Sequence, residues 1–302
     1  MNILIISLFD WAGVANALSE AVNLHTSHIC RQISLKEHRC KYPIDLLVGR
    51  DKIEDMQMEW DDADVIMWGA SNYRIKTPFS QAKLGEKKEV IWRQGSQYRL
   101  NYSQFNEQHK VDMTFAHRDL LPLCPEGSKL LDVPFDVFRY PTGQTKYDKL
   151  RVCHSPVDMT NHGGGDKKGT RQFVWAVSGA SVPWETMTGL TWAESVKRKK
   201  KYNCFYDQIG SYNIPFGARK PYGLSLVEAA TMGHACLGWS DYDDVPMTTV
   251  TDYLEIQDKL IYYKDNLSEL KSDGKRMRRW VEKTHSYEVI SRMFVKDLEE
   301  LF

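Results

Sequence analysis

The chain has no net charge, with 40 Lys and Arg against 40 Asp and Glu in 302 residues. That balance excludes a strongly basic body gripping nucleic acid by charge alone and leaves room only for a local basic groove. No apolar run approaches the roughly 20 residues needed to cross a bilayer. Met1 leads straight into a strand-like segment, so no signal peptide is expected. Cysteine is sparse, six residues scattered along the chain, which argues against a disulfide framework and for a reducing compartment, the cytoplasm by default. Two nucleotide motifs are also missing. Without G-x-G-x-x-G no dinucleotide cofactor is indicated, and without Gly-Lys-Ser/Thr there is no Walker loop. His25, His28, Cys30, His38 and Cys40 lie close together, but their spacing fits no zinc pattern, so no metal is expected.

What is present is an alternation of short apolar runs and amphipathic stretches. Asn2–Leu8 reads as a parallel strand buried on both faces. Phe9–Gly13 is then a turn and Val14–Asn23 a helix. Further strands are expected near His28–Leu35, Tyr42–Val48, Asp64–Trp68, Glu89–Trp92 and Val111–Ala116, with a helix over Lys52–Trp60. Such alternation predicts a doubly wound parallel sheet, with ligands beyond the carboxyl ends of its strands. Proline and glycine in Arg139–Gln144 mark a linker. A second unit of the same kind opens at Leu150–Pro156, so the fold class is α/β with two Rossmann-like domains. Their expected bounds are 1–143 and 144–286, with a terminal helix over 287–302 packing back onto the first.

Two loops in the second half carry the chemistry. Asn161–Thr170 holds three successive glycines and two lysines before a helix, a setting that favours an anion. Pro221–Leu237 reads as a glycine-containing loop, a helix bearing Glu228, a stop at Gly233 and a strand. Gly223 permits close approach of a ligand, and the N–H groups at the helix start favour a phosphate. The basic run Lys197–Lys201 reads as the solvated end of a helix.

Gly223, Glu228, Ala229 and Gly233 stand in the order and spacing of G-x-x-x-x-E-A-x-x-x-G. In this the segment resembles the donor-binding signature of retaining nucleotide-sugar glycosyltransferases of the GT-B fold, in which two Rossmann-like domains face each other across a cleft. His154-Ser155-Pro156 and Lys168-Gly169-Thr170 resemble a second family element, and Arg93–Arg99 resembles its H-G-S-x-x-R loop, with Gln94 where many members carry histidine. The resemblance implies that Glu228 holds the nucleotide ribose and that Lys168 neutralises the diphosphate. Gly13, Ser155, Gly169, Tyr222, Gly223, Leu224 and Ser225 would complete the donor site. Gln94, Gly95, Ser96 and Arg99 would serve the acceptor. Arg219 and Lys220 would assist the leaving group, although the family usually has a glutamate at the position of Lys220. Asp10 is a candidate base by position. The implied activity is transfer of a sugar from a nucleotide-sugar, most simply a UDP-sugar, to a hydroxyl acceptor, with retention and without metal or other cofactor. Acceptors in view are a glycan, a lipid-linked sugar, a small molecule and a hydroxymethylated DNA base. A non-catalytic nucleotide- or sugar-binding member of the fold, a sugar phosphorylase and an epimerase are the alternatives.

Overall fold

Short apolar runs become central strands in both halves of the chain. The computed structural model describes residues 1–69, 73–78, 84–140, 145–156, 168–209 and 220–302, with the side chains of Ser96 and Gln97 outside that description. The chain divides into two units.

The first unit is built on seven parallel strands: β1 (Asn2–Phe9), β2 (Ile29–Lys36), β3 (Leu46–Leu47), β4 (Val65–Gly69), β5 (Lys88–Arg93), β6 (Met113–Ala116) and β7 (Lys129–Leu130). They lie in the order β3-β2-β1-β4-β5-β6-β7. The run Ile3–Ile6 is buried and pairs residue for residue with Val65–Trp68, as a strand covered on both faces requires. Its helices include α1 (Val14–His25), α2 (Ile53–Asp62) and α3 (Gly95–Gln108).

The second unit holds β8 (Val152–His154), β9 (Trp184–Thr186), β10 (Cys204–Tyr206), β11 (Ala235–Gly238) and β12 (Thr248–Thr249), all parallel. Their order is β12-β11-β10-β8-β9. Around them run α4 (Thr170–Ala180), α5 (Trp192–Lys199), α6 (Leu224–Thr231), α7 (Tyr253–Asp265) and α8 (Leu267–Thr284). Phe173, Val177, Tyr206 and Leu260 are among the residues of its core. The last helix, α9 (Tyr287–Glu299), belongs to the first unit. There Tyr287 donates to Glu20 of α1 at 2.9 Å, and Phe294 packs edge-on against Phe115.

In each sheet the chain starts a strand, adds neighbours on one side, then crosses to the other. The switch falls between β1 and β4 in the first unit and between β8 and β10 in the second. Ligands of open parallel sheets bind at the carboxyl ends beside such points.

Three expectations differ from what forms. Tyr42–Val48 yields only the two residues of β3. The side chains of Asp45 and Gln32 take the backbone partners a ladder would use: Gln32 N–H donates to Asp45 Oδ2 at 3.1 Å, and Asp45 N–H to Gln32 Oε1 at 3.4 Å. The stretch from Gly95, read as a loop, is the first turn of α3. Helix α7 was not anticipated, although Asp252 caps its start by accepting from Leu254 and Glu255 N–H. All six cysteines carry free thiols. Among the described residues no helix is long and apolar enough to cross a membrane.

Candidate active site

The strand ends at the β8/β10 switch point gather most of the second unit's predicted residues. β8 ends at His154, whose ring is buried. Its Nδ1 lies 3.0 Å from Tyr206 O and its Nε2 2.9 Å from Thr170 Oγ1. A carbonyl only accepts, so Nδ1 carries the hydrogen and Nε2 accepts from the threonine hydroxyl. Burial holds the imidazole neutral, pushing it down to about 3. His154 thus ties β8, β10 and the start of α4 together, and Ser155 follows it directly. Residues 157–167, which include most of the glycine loop, lie outside the described residues. The chain is described again at Lys168. Gly169, at φ +64°, turns it into α4, a left-handed conformation that favours glycine.

Lys168 reaches back over the end of β10. Its ammonium donates to Gln208 Oε1 at 2.7 Å and lies 3.6 Å from Asp207 Oδ1. Both partners are buried. They also fix the entry to α6: Gly223 N–H donates to Asp207 Oδ2 at 2.6 Å, and Gln208 Nε2 donates to Pro221 O at 2.6 Å. Gly223 has an ordinary φ of −80°, so the glycine is required for space. A Cβ there would overlap Asp207 Oδ1 and come within 2.9 Å of Lys168 Nζ. Lys168 therefore sits directly against the N-terminus of α6. The next two N–H groups of that helix, of Leu224 and Ser225, meet no acceptor among the described residues. They carry the positive end of the helix dipole.

Glu228 lies one turn further along α6 and is 7% exposed. Trp192 Nε1 donates to its Oε1 at 2.8 Å, and Lys199 Nζ donates to Oε2. A carboxylate has about four acceptor positions, so a diol can still be received. Lys199 is itself 2% exposed. Its burial corrects the reading of Lys197–Lys201 as uniformly solvated. The signal was spacing rather than charge: Trp192, Val196 and Lys199 share one face of α5 at i, i+4 and i+7.

Lys220 is also buried, 3% exposed. Its ammonium lies 3.7 Å from the centroid of the Trp239 ring and has no hydrogen-bond partner among the described residues. Burial pulls it down to about 8, against the opposing pull of Asp241 and Asp207. Tyr222 faces elsewhere: its hydroxyl lies 2.9 Å from His285 Nε2, and its ring packs edge-on against Trp280. Arg219 lies outside the described residues. A hollow of roughly 620 Å³ near the C-terminal end of α6, lined by Thr231, Gly233, Lys271 and Lys275 among others, contains none of these groups.

The first unit places its candidates at its own strand ends. Asp10 is buried, and its two oxygens accept from Ala15 and Asn16 N–H at 2.9 Å each. It caps α1. Gly13 enters that helix at φ +71°, and a Cβ there would press on Tyr42 at 3.2 Å. Gln94 precedes α3 and is buried, and its Nε2 has no hydrogen-bond partner among the described residues. Gly95 is exposed at φ +76°, and the Ser96 side chain is outside the description. Arg99 forms an ion pair with Asp119.

No protein-family model matches the chain, and no curated protein matches it in sequence. Solved structures do. An alpha-glucosyltransferase in complex with UDP and a 13-mer DNA is similar with a TM-score of 0.66 and 10% identity, over 99% of this chain and 98% of that one. Anabaena Alr3699/HepE in complex with UDP-glucose is similar at 0.65 and 10%, over 99% of both chains. UDP-GlcNAc 2-epimerase from Neisseria meningitidis bound to UDP-GlcNAc reaches 0.54 at 11%, over 99% and 100%. The fold of this chain is GT-B.

Proposed function

We propose that the chain is a glycosyltransferase that moves a sugar from a nucleotide-sugar, with UDP the favoured nucleotide, to a hydroxyl acceptor. One observation carries the reading. At the switch point of the second sheet, an ammonium (Lys168) and two helix N–H groups that meet no acceptor among the described residues (Leu224, Ser225) lie around a glycine whose missing side chain lets Asp207 and Lys168 sit against the helix start. That is a site for an anion rather than for a metal or a flat cofactor. Glu228, paired with Lys199, supplies the ribose contact.

In this reading the second unit binds the donor and the first the acceptor, with Gln94, whose buried amide N–H lacks a partner among the described residues, as the acceptor-side contact. Arg99, paired with Asp119, braces that turn. The bond between the anomeric carbon and the phosphate oxygen breaks while the bond to the acceptor oxygen forms on the same face. The acceptor proton passes to the departing phosphate. Lys168 and the α6 N–H groups stabilise charge where it grows, each such donor being worth about 3–4 kcal/mol in the transition state. Asp10 is assigned to capping α1 rather than to proton transfer. Six free thiols support work in the cytoplasm. A hydroxymethylated DNA base is one candidate acceptor, in view of the neighbour solved with DNA.

The test is a panel of UDP-, GDP- and ADP-sugars, read by thermal shift and by release of nucleotide. A shift with UDP-sugars together with slow UDP release supports the reading. A shift without turnover under any acceptor makes the chain a binding protein, and no shift with any nucleotide overturns the proposal. Release of UDP with conversion of the sugar and no transfer would instead identify an epimerase, which shares the fold.

A further inference from the structure

The hollow beside α8 has no part in the donor site. Helix α6 starts at the proposed diphosphate position and ends at Thr231, in the wall of the hollow. Its eight residues separate the two places by roughly 12 Å. Gly233, also in the wall, leads into β11, and Tyr147 leads into β8. The hollow therefore belongs to the amino edge of the second sheet, opposite the strand ends that gather Lys168 and Gly223. Its frame is tight: a Cβ on Gly274 of α8 would come within 2.1 Å of Gly233 O. Its volume of roughly 620 Å³ falls within the range of about 300–1,000 Å³ usual for small-molecule sites.

Charge in that wall is one-sided. Lys271, Lys275 and Arg279 follow one another at i, i+4 and i+8 along α8, all exposed and all lining the hollow. Like charges at that spacing repel. Arg276 and Arg278 of the same helix are paired, with Asp273 at 2.9 Å and Glu282 at 2.7 Å. The three lining cations have no carboxylate partner among the described residues. Glu269 and Asp273 each stand two positions from Lys271, a spacing that does not share a helix face. Residues 141–144, which lie outside the described residues beside Tyr140, are Pro, Thr, Gly and Gln and carry no charge. The acids of the other undescribed stretches, Asp158 and Asp166, come after the carboxyl end of β8 in the chain.

Cations also collect at helix C-termini, where carbonyls are left over. Here those carbonyls are occupied. Thr231 O accepts from Arg278, Met232 O from the Thr145 hydroxyl and Gly233 O from the Tyr147 hydroxyl. The end of α6 thus leaves Lys271, Lys275 and Arg279 nothing to answer. Beside them, Tyr140, Tyr147 and Leu267 offer rings and an aliphatic surface, enough wall for more than a bare anion.

We infer that this hollow is a second ligand site, for a small organic phosphate of two or more negative charges. Lys271, Lys275 and Arg279 hold the phosphate groups, and the uncharged body lies against Tyr140, Tyr147 and Leu267. Calorimetric titration of the full chain with fructose 1,6-bisphosphate and with ADP tests it, with fructose and inorganic phosphate as controls. The two phosphorylated probes distinguish a sugar body from a nucleoside body. At least one should bind about tenfold or more tighter than inorganic phosphate, and fructose should not bind. Replacing Lys271, Lys275 and Arg279 together by Gln should weaken that probe at least about tenfold. All three are exposed, so the fold is spared. Lys168→Ala should leave its affinity unchanged, as should Gln at Lys264, Lys283 and Lys296, three exposed lysines outside the hollow. The inference is overturned if neither probe binds or if inorganic phosphate binds as tightly. Equal losses in the two triple variants would show general charge attraction and overturn it too. Binding lost only with Lys168→Ala would place the ligand at the donor loop, against this site and in favour of the donor reading.

Discussion

In the first unit the turn after β1 closes on a carboxylate of the chain itself: Asp10 accepts from two N–H groups at the start of α1. In the second unit the start of α6 gives one N–H to Asp207 and the next two meet no acceptor among the described residues, with Lys168 held alongside. Both arrangements answer the same electrostatic need, because a helix N-terminus attracts negative charge. The first meets it internally and is complete. In the proposed reading the second is completed from outside, by the diphosphate of the donor. A Rossmann-like turn is therefore not a binding site by topology alone. What decides is how many of the N–H groups at the helix start the chain's own carboxylates satisfy.

Five substitutions break or sharpen that contrast. The largest effect is expected at Glu228. Glu228→Gln leaves Lys199 as an unpaired buried charge, which should cost about 3–5 kcal/mol of stability in denaturant unfolding. Adding Lys199→Met should restore most of that stability but not UDP affinity, which separates the structural part of the pair from its ligand contact. Next, Lys168→Ala should lower the rate of UDP release from a turned-over donor about a hundredfold in steady-state assays. Gly223→Ala is compatible with the backbone but drives a methyl group between Asp207 and Lys168. It should weaken UDP binding about tenfold with little change in circular dichroism, the loss being a single displaced contact.

The smallest effect is expected in the first unit. Burial raises the Asp10 carboxyl from 3.8 to about 7. The folded chain then keeps a proton between about pH 4 and 7 that the unfolded chain has released, so this group's stabilisation is full at the acid end and is lost as pH rises through the window. Asp10→Asn should remove that component of the stability-versus-pH curve, cost about 1 kcal/mol or less as a cap, and leave UDP affinity unchanged.

Much of this was legible beforehand, and the exceptions share a cause. Continuous apolar runs such as Asn2–Leu8 announced central strands because both faces of a parallel sheet are covered. The spacing from Gly223 through Glu228 to Gly233 marked α6 and its flanking turns. Lys199 was hidden because a run of five basic residues reads as solvent-facing, and its partner stands 29 positions away. Lys220 was visible as a departure from a pattern, but its burial cannot be read from neighbours in sequence. The shortness of β3 depended on Gln32 and Asp45 exchanging side-chain bonds across two strands. Periodicity reports which face is buried; it does not report which charge meets which.

The central claim is that the second unit holds the diphosphate of a nucleotide at the start of α6, and calorimetric titration of the wild-type chain with UDP tests it most directly. The account predicts a saturable single site whose affinity falls when Lys168 is replaced by Ala. An absence of binding heat over a range of temperatures, or an affinity indifferent to Lys168, would contradict it.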